Sequence, residues 1–111
     1  MQLTYAIKYV ADMGQSVAFH RDVLGLPLKF ESSEWSEFAT GETTLALHSA
    51  TREKQAGSVE LGFASDDLGA FHSRRDELGV DFTRPPTEMH GMLIAQLRDP
   101  DGADTSISGP A

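Results

Sequence analysis

Residues 11–25 read ADMGQSVAFHRDVLG, and residues 65–79 read SDDLGAFHSRRDELG. Aligned without gaps at a shift of 54, they share Asp12 with Asp66, Arg21 with Arg75, Asp22 with Asp76, and Leu24-Gly25 with Leu78-Gly79. The physics repeats as well as the letters. An apolar-rich run (residues 5–10 and 59–64) comes first. An aspartate follows, then a stretch of helical character, then Leu-Gly and an aliphatic residue. A shift near half of the 111 residues points to one unit written twice. The expected organisation is one domain over 1–111, with module one at 1–50, a linker at 51–57 and module two at 58–111. The linker, TREKQAG, is polar and ends in glycine.

Working outward, each copy predicts the order β-α-β-β-β. Residues 3–10 read as a strand. Asp12 is an N-cap candidate with Gln15 three residues on, as in a capping box. Met13, Val17, His20 and Leu24 fall at helical spacing, and Gly25 suits the position just past a helix. Residues 28–32, 35–40 and 43–49 follow as strands, with Gly41-Glu42 as the last turn. In copy two, residues 59–64 form a strand and Asp66 or Asp67 caps a helix ending at Leu78-Gly79. A strand at 80–84 is expected to stop at Pro85-Pro86. Strands at 92–97 and 104–108 flank the turn Asp99-Pro100-Asp101-Gly102.

Composition excludes several classes of function. Nine Lys+Arg against seventeen Asp+Glu leave a formal charge of −8, which disfavours nucleic acid and anionic membranes. The chain has no cysteine, so disulfides, thiolate metal sites and cysteine nucleophiles are out. No apolar run is long enough to span a bilayer. The first residues, MQLTY, lack the regions of a signal peptide, and a cytoplasmic location is expected. No serine sits on a Gly-x-Ser-x-Gly elbow.

The paired βαβββ unit resembles the vicinal oxygen chelate superfamily of glyoxalase I, bleomycin-resistance proteins and extradiol dioxygenases. The residues that carry the likeness are Tyr9-Val10-Ala11-Asp12-Met13, Ser16-Val17-Ala18-Phe19-His20, Leu24-Gly25-Leu26, Glu37-Phe38-Ala39-Thr40-Gly41, Leu45-Ala46-Leu47 and Asp99-Pro100-Asp101-Gly102. The resemblance implies an α+β fold in which two tandem βαβββ modules form a curved mixed sheet around a central cleft. Strand parity then sorts the side chains. Leu45, Leu47, Leu61, Phe63, Leu93, Ala95, Leu97 and Ile107 are expected to face the helices. Ala46, His48, Glu60, Gly62, Met92, Ile94, Gln96, Ser106 and Ser108 are expected to face the cleft. Analogy adds Tyr5, Ile7 and Tyr9. Trp35 and Phe38 complete the expected ligand-binding set, although three residues apart on a strand they point to opposite faces.

Metal-using relatives carry ligands in the first and last strand of each unit, positions matched here by Tyr5, Ala46, Glu60 and Ser106. Only Glu60 is a good ligand, and a catalytic metal needs about three protein ligands. His48 on the same face adds a second candidate at most. No metal and no cofactor are therefore expected. His20 and His72 lie on predicted helices and read as structural or surface residues. His90 lies in the expected loop 85–91, either exposed or closing over the cleft. Glu60 is the candidate catalytic residue, a general base without a metal. Three functions stay open. One is metal-independent binding of a neutral or cationic organic ligand, as in bleomycin-resistance proteins, with antibiotic resistance as its setting. Another is a glyoxalase-like lyase or isomerase or another enzyme of the superfamily, metal-dependent or using Glu60 as general base. The third is an interaction module with no small ligand, such as a subunit of a larger assembly. A small-molecule partner and a homodimer are expected.

Overall fold

A computed structural model describes all of residues 1–111. The chain divides into two compact units, one of residues 4–59 and one of residues 1–3 with 60–111. Both have the βαβββ order that the repeat predicts, and the fold class is α+β with two tandem βαβββ modules.

Module one begins with β1 (Gln2–Val10). The helix α1 (Met13–Ala18) starts where Asp12 accepts the Gln15 backbone N–H at 2.9 Å, the expected cap. It runs on into a π-helical turn, Phe19–Val23, and ends at Gly25 with φ 71°. Strands β2 (Leu28–Phe30), β3 (Trp35–Ala39) and β4 (Thr44–Ser49) complete the unit. The order across this sheet is β2-β3-β4-β1, with β1 parallel to β4 and the other pairs antiparallel. Its helix side is a core of Val10, Val17, Phe38 and Leu47, against which Met13, Leu26, Leu28 and Leu45 pack. His20 is buried beside Phe38, its ring centroid 5.6 Å away. Leu24, expected at helical spacing with Met13, Val17 and His20, is 53% exposed. The π-turn adds a residue before Leu24, which carries it off the 3.6-residue stripe.

Module two repeats the plan with β5 (Val59–Ala64), α2 (Leu68–Ser73), α3 (Arg75–Leu78), β6 (Asp81–Met89), β7 (Met92–Arg98) and β8 (Asp104–Pro110). Of the two candidate caps, Asp67 is the one used, accepting the Ala70 N–H at 2.9 Å. The helix expected as one piece breaks at Arg74, and Gly79 closes it with φ 70°. Strand order is β5-β8-β7-β6, with β5 parallel to β8. The helix-side core is Leu68, Ala95 and Ile107, with Phe63, Phe71, Phe82, Leu93 and Leu97 against it. Leu61, also expected there, lies outside this cluster and is 42% exposed.

The prolines do not stop β6. It continues through Pro85-Pro86 to Met89, with register shifts between Phe82 and Arg84 and between Arg84 and Thr87. As an edge strand it can lose the proline N–H donors, and the bulges absorb the misfit. The expected loop is therefore strand. His90 and Gly91, with φ 54° and 81°, form a two-residue hairpin turn between Met89 and Met92. His90, expected in a loop over 85–91, lies exposed at the tip of that hairpin.

The registers align the two modules more sharply than the sequence shift does. In module one a row runs Ile7–Ala46–Glu37; in module two the matching row runs Gly62–Ser106–Gln96. Ile7 precedes its helix cap Asp12 by as much as Gly62 precedes Asp67, so strands and caps match at a shift of 55. Gly25 and Gly79, past the helix ends, match at 54. Module one has one residue more between cap and glycine, and the π-turn is where the helix holds it.

Candidate functional site

The face of the module-one sheet away from α1 carries a second cluster. Ile7, Tyr9 and Ala46 are buried there, with Tyr5 and Trp35 packed against them. Alternation places them together: Tyr5, Ile7 and Tyr9 on β1, Ala46 and His48 on β4, Trp35 and Glu37 on β3. The row Tyr9–His48–Trp35 lies beside the row Ile7–Ala46–Glu37. The rings touch in sequence. Tyr9 and His48 have centroids 5.0 Å apart; His48 and Trp35 meet edge to face at 5.9 Å; Trp35 and Tyr5 are 6.1 Å apart and tilted by 54°. His48 Nδ1 lies 2.7 Å from the Ser49 carbonyl oxygen, which can only accept, so Nδ1 carries the proton.

Glu37 ties this face together. Its Oε2 accepts Trp35 Nε1–H at 2.8 Å, the Tyr5 hydroxyl donates to the same carboxylate, and Lys29 Nζ stands 3.8 Å from Oε1. Burial raises the Tyr5 pKa above its ordinary value, and the charge of Glu37 and its hydrogen bond raise it further. Tyr5 is therefore a neutral donor. Glu37 was not among the expected site residues, although a signal existed: it lies two residues from Trp35 on one strand and so shares its face.

Phe38 is corrected. It is 0% exposed and sits in the helix-side core with Val17 and Leu47. With Trp35 on the opposite face, strand parity forbids Phe38 from joining it.

In module two Glu60 is buried, and Gln96 Nε2 donates to its Oε2 at 3.4 Å. Gln96 pairs with Ser106 and Ile94 with Ser108, so these expected residues share the face of Glu60. Met92 is less central. It pairs with Pro110 beside the hairpin turn and is 45% exposed.

The metal positions of the resembling family do not fit a metal here. Ala46 offers a methyl group under a closed cluster, and the Tyr5 hydroxyl is spent on Glu37. Ser106 is a poor ligand for a divalent ion, leaving Glu60 alone. No three His, Asp or Glu side chains converge anywhere as a ligand set.

The sequence matches, over residues 2–107, the family described as glyoxalase/bleomycin resistance protein/dioxygenase superfamily. The chain belongs to this superfamily. No curated protein matches the sequence. Among solved structures, methylmalonyl-CoA epimerase from Mycobacterium tuberculosis is similar with a TM-score of 0.81 at 18% identity, over 99% of this chain and 88% of that one. A glyoxalase/bleomycin resistance protein/dioxygenase superfamily member from Vibrio splendidus 12B01 has a TM-score of 0.78 at 17% identity, covering 95% and 96%. A structure titled NAD-dependent benzaldehyde dehydrogenase from Legionella pneumophila has 0.76 at 20%, covering 96% and 98%. At these identities the likeness establishes the superfamily fold and leaves the chemistry to the residues themselves. No helix is long and apolar enough to cross a membrane.

Proposed function

We propose that this superfamily member binds a small neutral or cationic organic molecule on the aromatic face of module one, without a metal, as bleomycin-resistance proteins do. The observation that carries the reading is the fate of Ala46. A family ligand position holds a methyl group, and a set of aromatic rings organised by Glu37 surrounds it. Such a surface supplies stacking area and few polar anchors, which suits binding more than bond-making. Trp35 is the single tryptophan, so its fluorescence reports this face alone. Saturable change with a ligand recovered intact is the expected result. Stoichiometric nickel, zinc, iron or manganese in purified protein would overturn it.

A second reading keeps an enzyme, a glyoxalase-like lyase or isomerase with Glu60 as general base. Its support is the burial of Glu60 against Gln96. Turnover that disappears in Glu60→Gln while binding persists would select it. A cytoplasmic homodimer is part of the proposal. Exposed Phe19, Val23, Leu24 and Phe30 support the homodimer. Light scattering on the full chain decides the oligomeric state.

A further inference from the structure

We infer that the corner between Tyr5 and Trp35 is a recognition site for a quaternary ammonium group on a free small molecule. This rests on reading the aromatic face as the ligand site, and it names the chemical class of the ligand.

The geometry separates ring edges from ring faces. Both polar edges, Trp35 Nε1–H and the Tyr5 hydroxyl, donate to the Glu37 carboxylate. The positive ends of the two rings are thus turned toward a fixed negative charge, so a ligand entering the corner meets ring faces and not polar edges. Two faces tilted at 54° with centroids 6.1 Å apart form a corner, and His48 stands edge-to-face against the other ring of that corner, Trp35. A π-face attracts a cation, and a nearby partly buried carboxylate strengthens the attraction. Lys54, from the linker, holds its Nζ 6.0 Å from the centroid of the neighbouring Tyr9 ring, at the outer limit of such a contact.

The saturation of Glu37 selects among cations. Trp35, Tyr5 and Lys29 already engage its oxygens. A primary ammonium entering the corner brings three N–H donors that must leave water, and ring faces compensate them poorly. A methylated ammonium has no N–H to satisfy, buries apolar methyls on the rings, and keeps its charge. A neutral isostere buries the same methyls and gains nothing from Glu37.

Ligand-observed NMR titration of the full chain at constant ionic strength tests this with choline, 3,3-dimethylbutan-1-ol as its neutral isostere, and ethanolamine. Choline is expected to bind about ten-fold tighter than either, the scale of a cation–π contact with partial desolvation. Glu37→Gln keeps an acceptor for Trp35 and removes the charge. It should weaken choline several-fold and leave the isostere unchanged, with a native circular dichroism spectrum. Trp35→Leu should abolish the preference. Equal or tighter binding of the isostere overturns this inference and leaves the binding function standing. So does failure of all three probes when another organic ligand saturates Trp35 fluorescence. If no ligand of any class shifts that fluorescence, both fall. Phosphatidylcholine vesicles should not sediment the protein; sedimentation that choline fails to reverse overturns the free-molecule assignment.

Discussion

The two modules share one lattice and place their acids differently on it. Tyr5 and Glu60 occupy the same position in the first strand, and Glu37 and Gln96 the same position in the third. Each module hydrogen-bonds these two positions to each other: Tyr5 donates to Glu37, and Gln96 donates to Glu60. The contact is preserved while donor and carboxylate trade strands. The adjoining row differs more. Tyr9, His48 and Trp35 in module one face Ala64, Ser108 and Ile94 at the matching places in module two. One unit has thus become an aromatic surface around a bound carboxylate, and the other keeps a carboxylate held by an amide. On the proposed function, the duplicated fold divides recognition from acid–base capacity while keeping one order of strands.

Substitutions can break this comparison. The largest effect is expected at Phe38, which belongs to the core and not to the site. Phe38→Ala should cost about 3–5 kcal/mol in urea unfolding, whereas Trp35→Ala, on the other face, should cost less than half of that and remove ligand binding. The reverse order would return Phe38 to the site. Next comes a close approach in module two. A Cβ on Gly109 would lie 2.8 Å from the Ser65 carbonyl oxygen and 3.1 Å from Leu68 Cβ. Gly109→Ala should destabilise by about 1–3 kcal/mol, as overpacking does. At the matching position of module one, Ser49→Ala should change stability by under about 0.5 kcal/mol.

The caps test the alignment itself. Asp67→Ala and Asp12→Ala should each cost about 1 kcal/mol, and Asp66→Ala only a few tenths. Equal losses at 66 and 67 would restore the simple shift of 54. The smallest effect is electrostatic and belongs to module one. Tyr5 has its pKa raised above the ordinary 10.0 in the native state. The native chain keeps that proton where the unfolded chain loses it. The associated stability is complete below about pH 10 and is lost as pH rises through the native value. Glu37→Gln should shrink this alkaline loss, measured as the change in unfolding free energy between about pH 8 and pH 11. An unchanged slope would mean that burial alone acts on Tyr5.

Much of this was legible in one dimension because it rests on local rules. Asp12, Gly25 and Gly79 act through neighbours a few residues away, and alternation put Ala46, Glu60 and Gln96 on their faces, with Tyr5 added by family analogy. The errors came where a second strand or a helix adjusts. Pro85-Pro86 reads as a stop, but a sheet edge tolerates it and bulges absorb it. Leu24 reads as continuing the helical spacing of Met13, Val17 and His20, but a π-turn carries it off that stripe. Phe38 is expected in the binding set with Trp35, although strand parity places the two on opposite faces.

By itself, the sequence determined the duplication, the βαβββ order, the charge, the absence of thiols and the loss of metal-ligating residue types, all properties of composition and short spacing. Tertiary structure alone decided that Glu37 gathers Tyr5 and Lys29, and that Gln96 reaches Glu60. Those contacts join strands, with partners up to 36 residues apart. Only strand register sets which side chains meet across such a gap, and register is a property of the paired sheet.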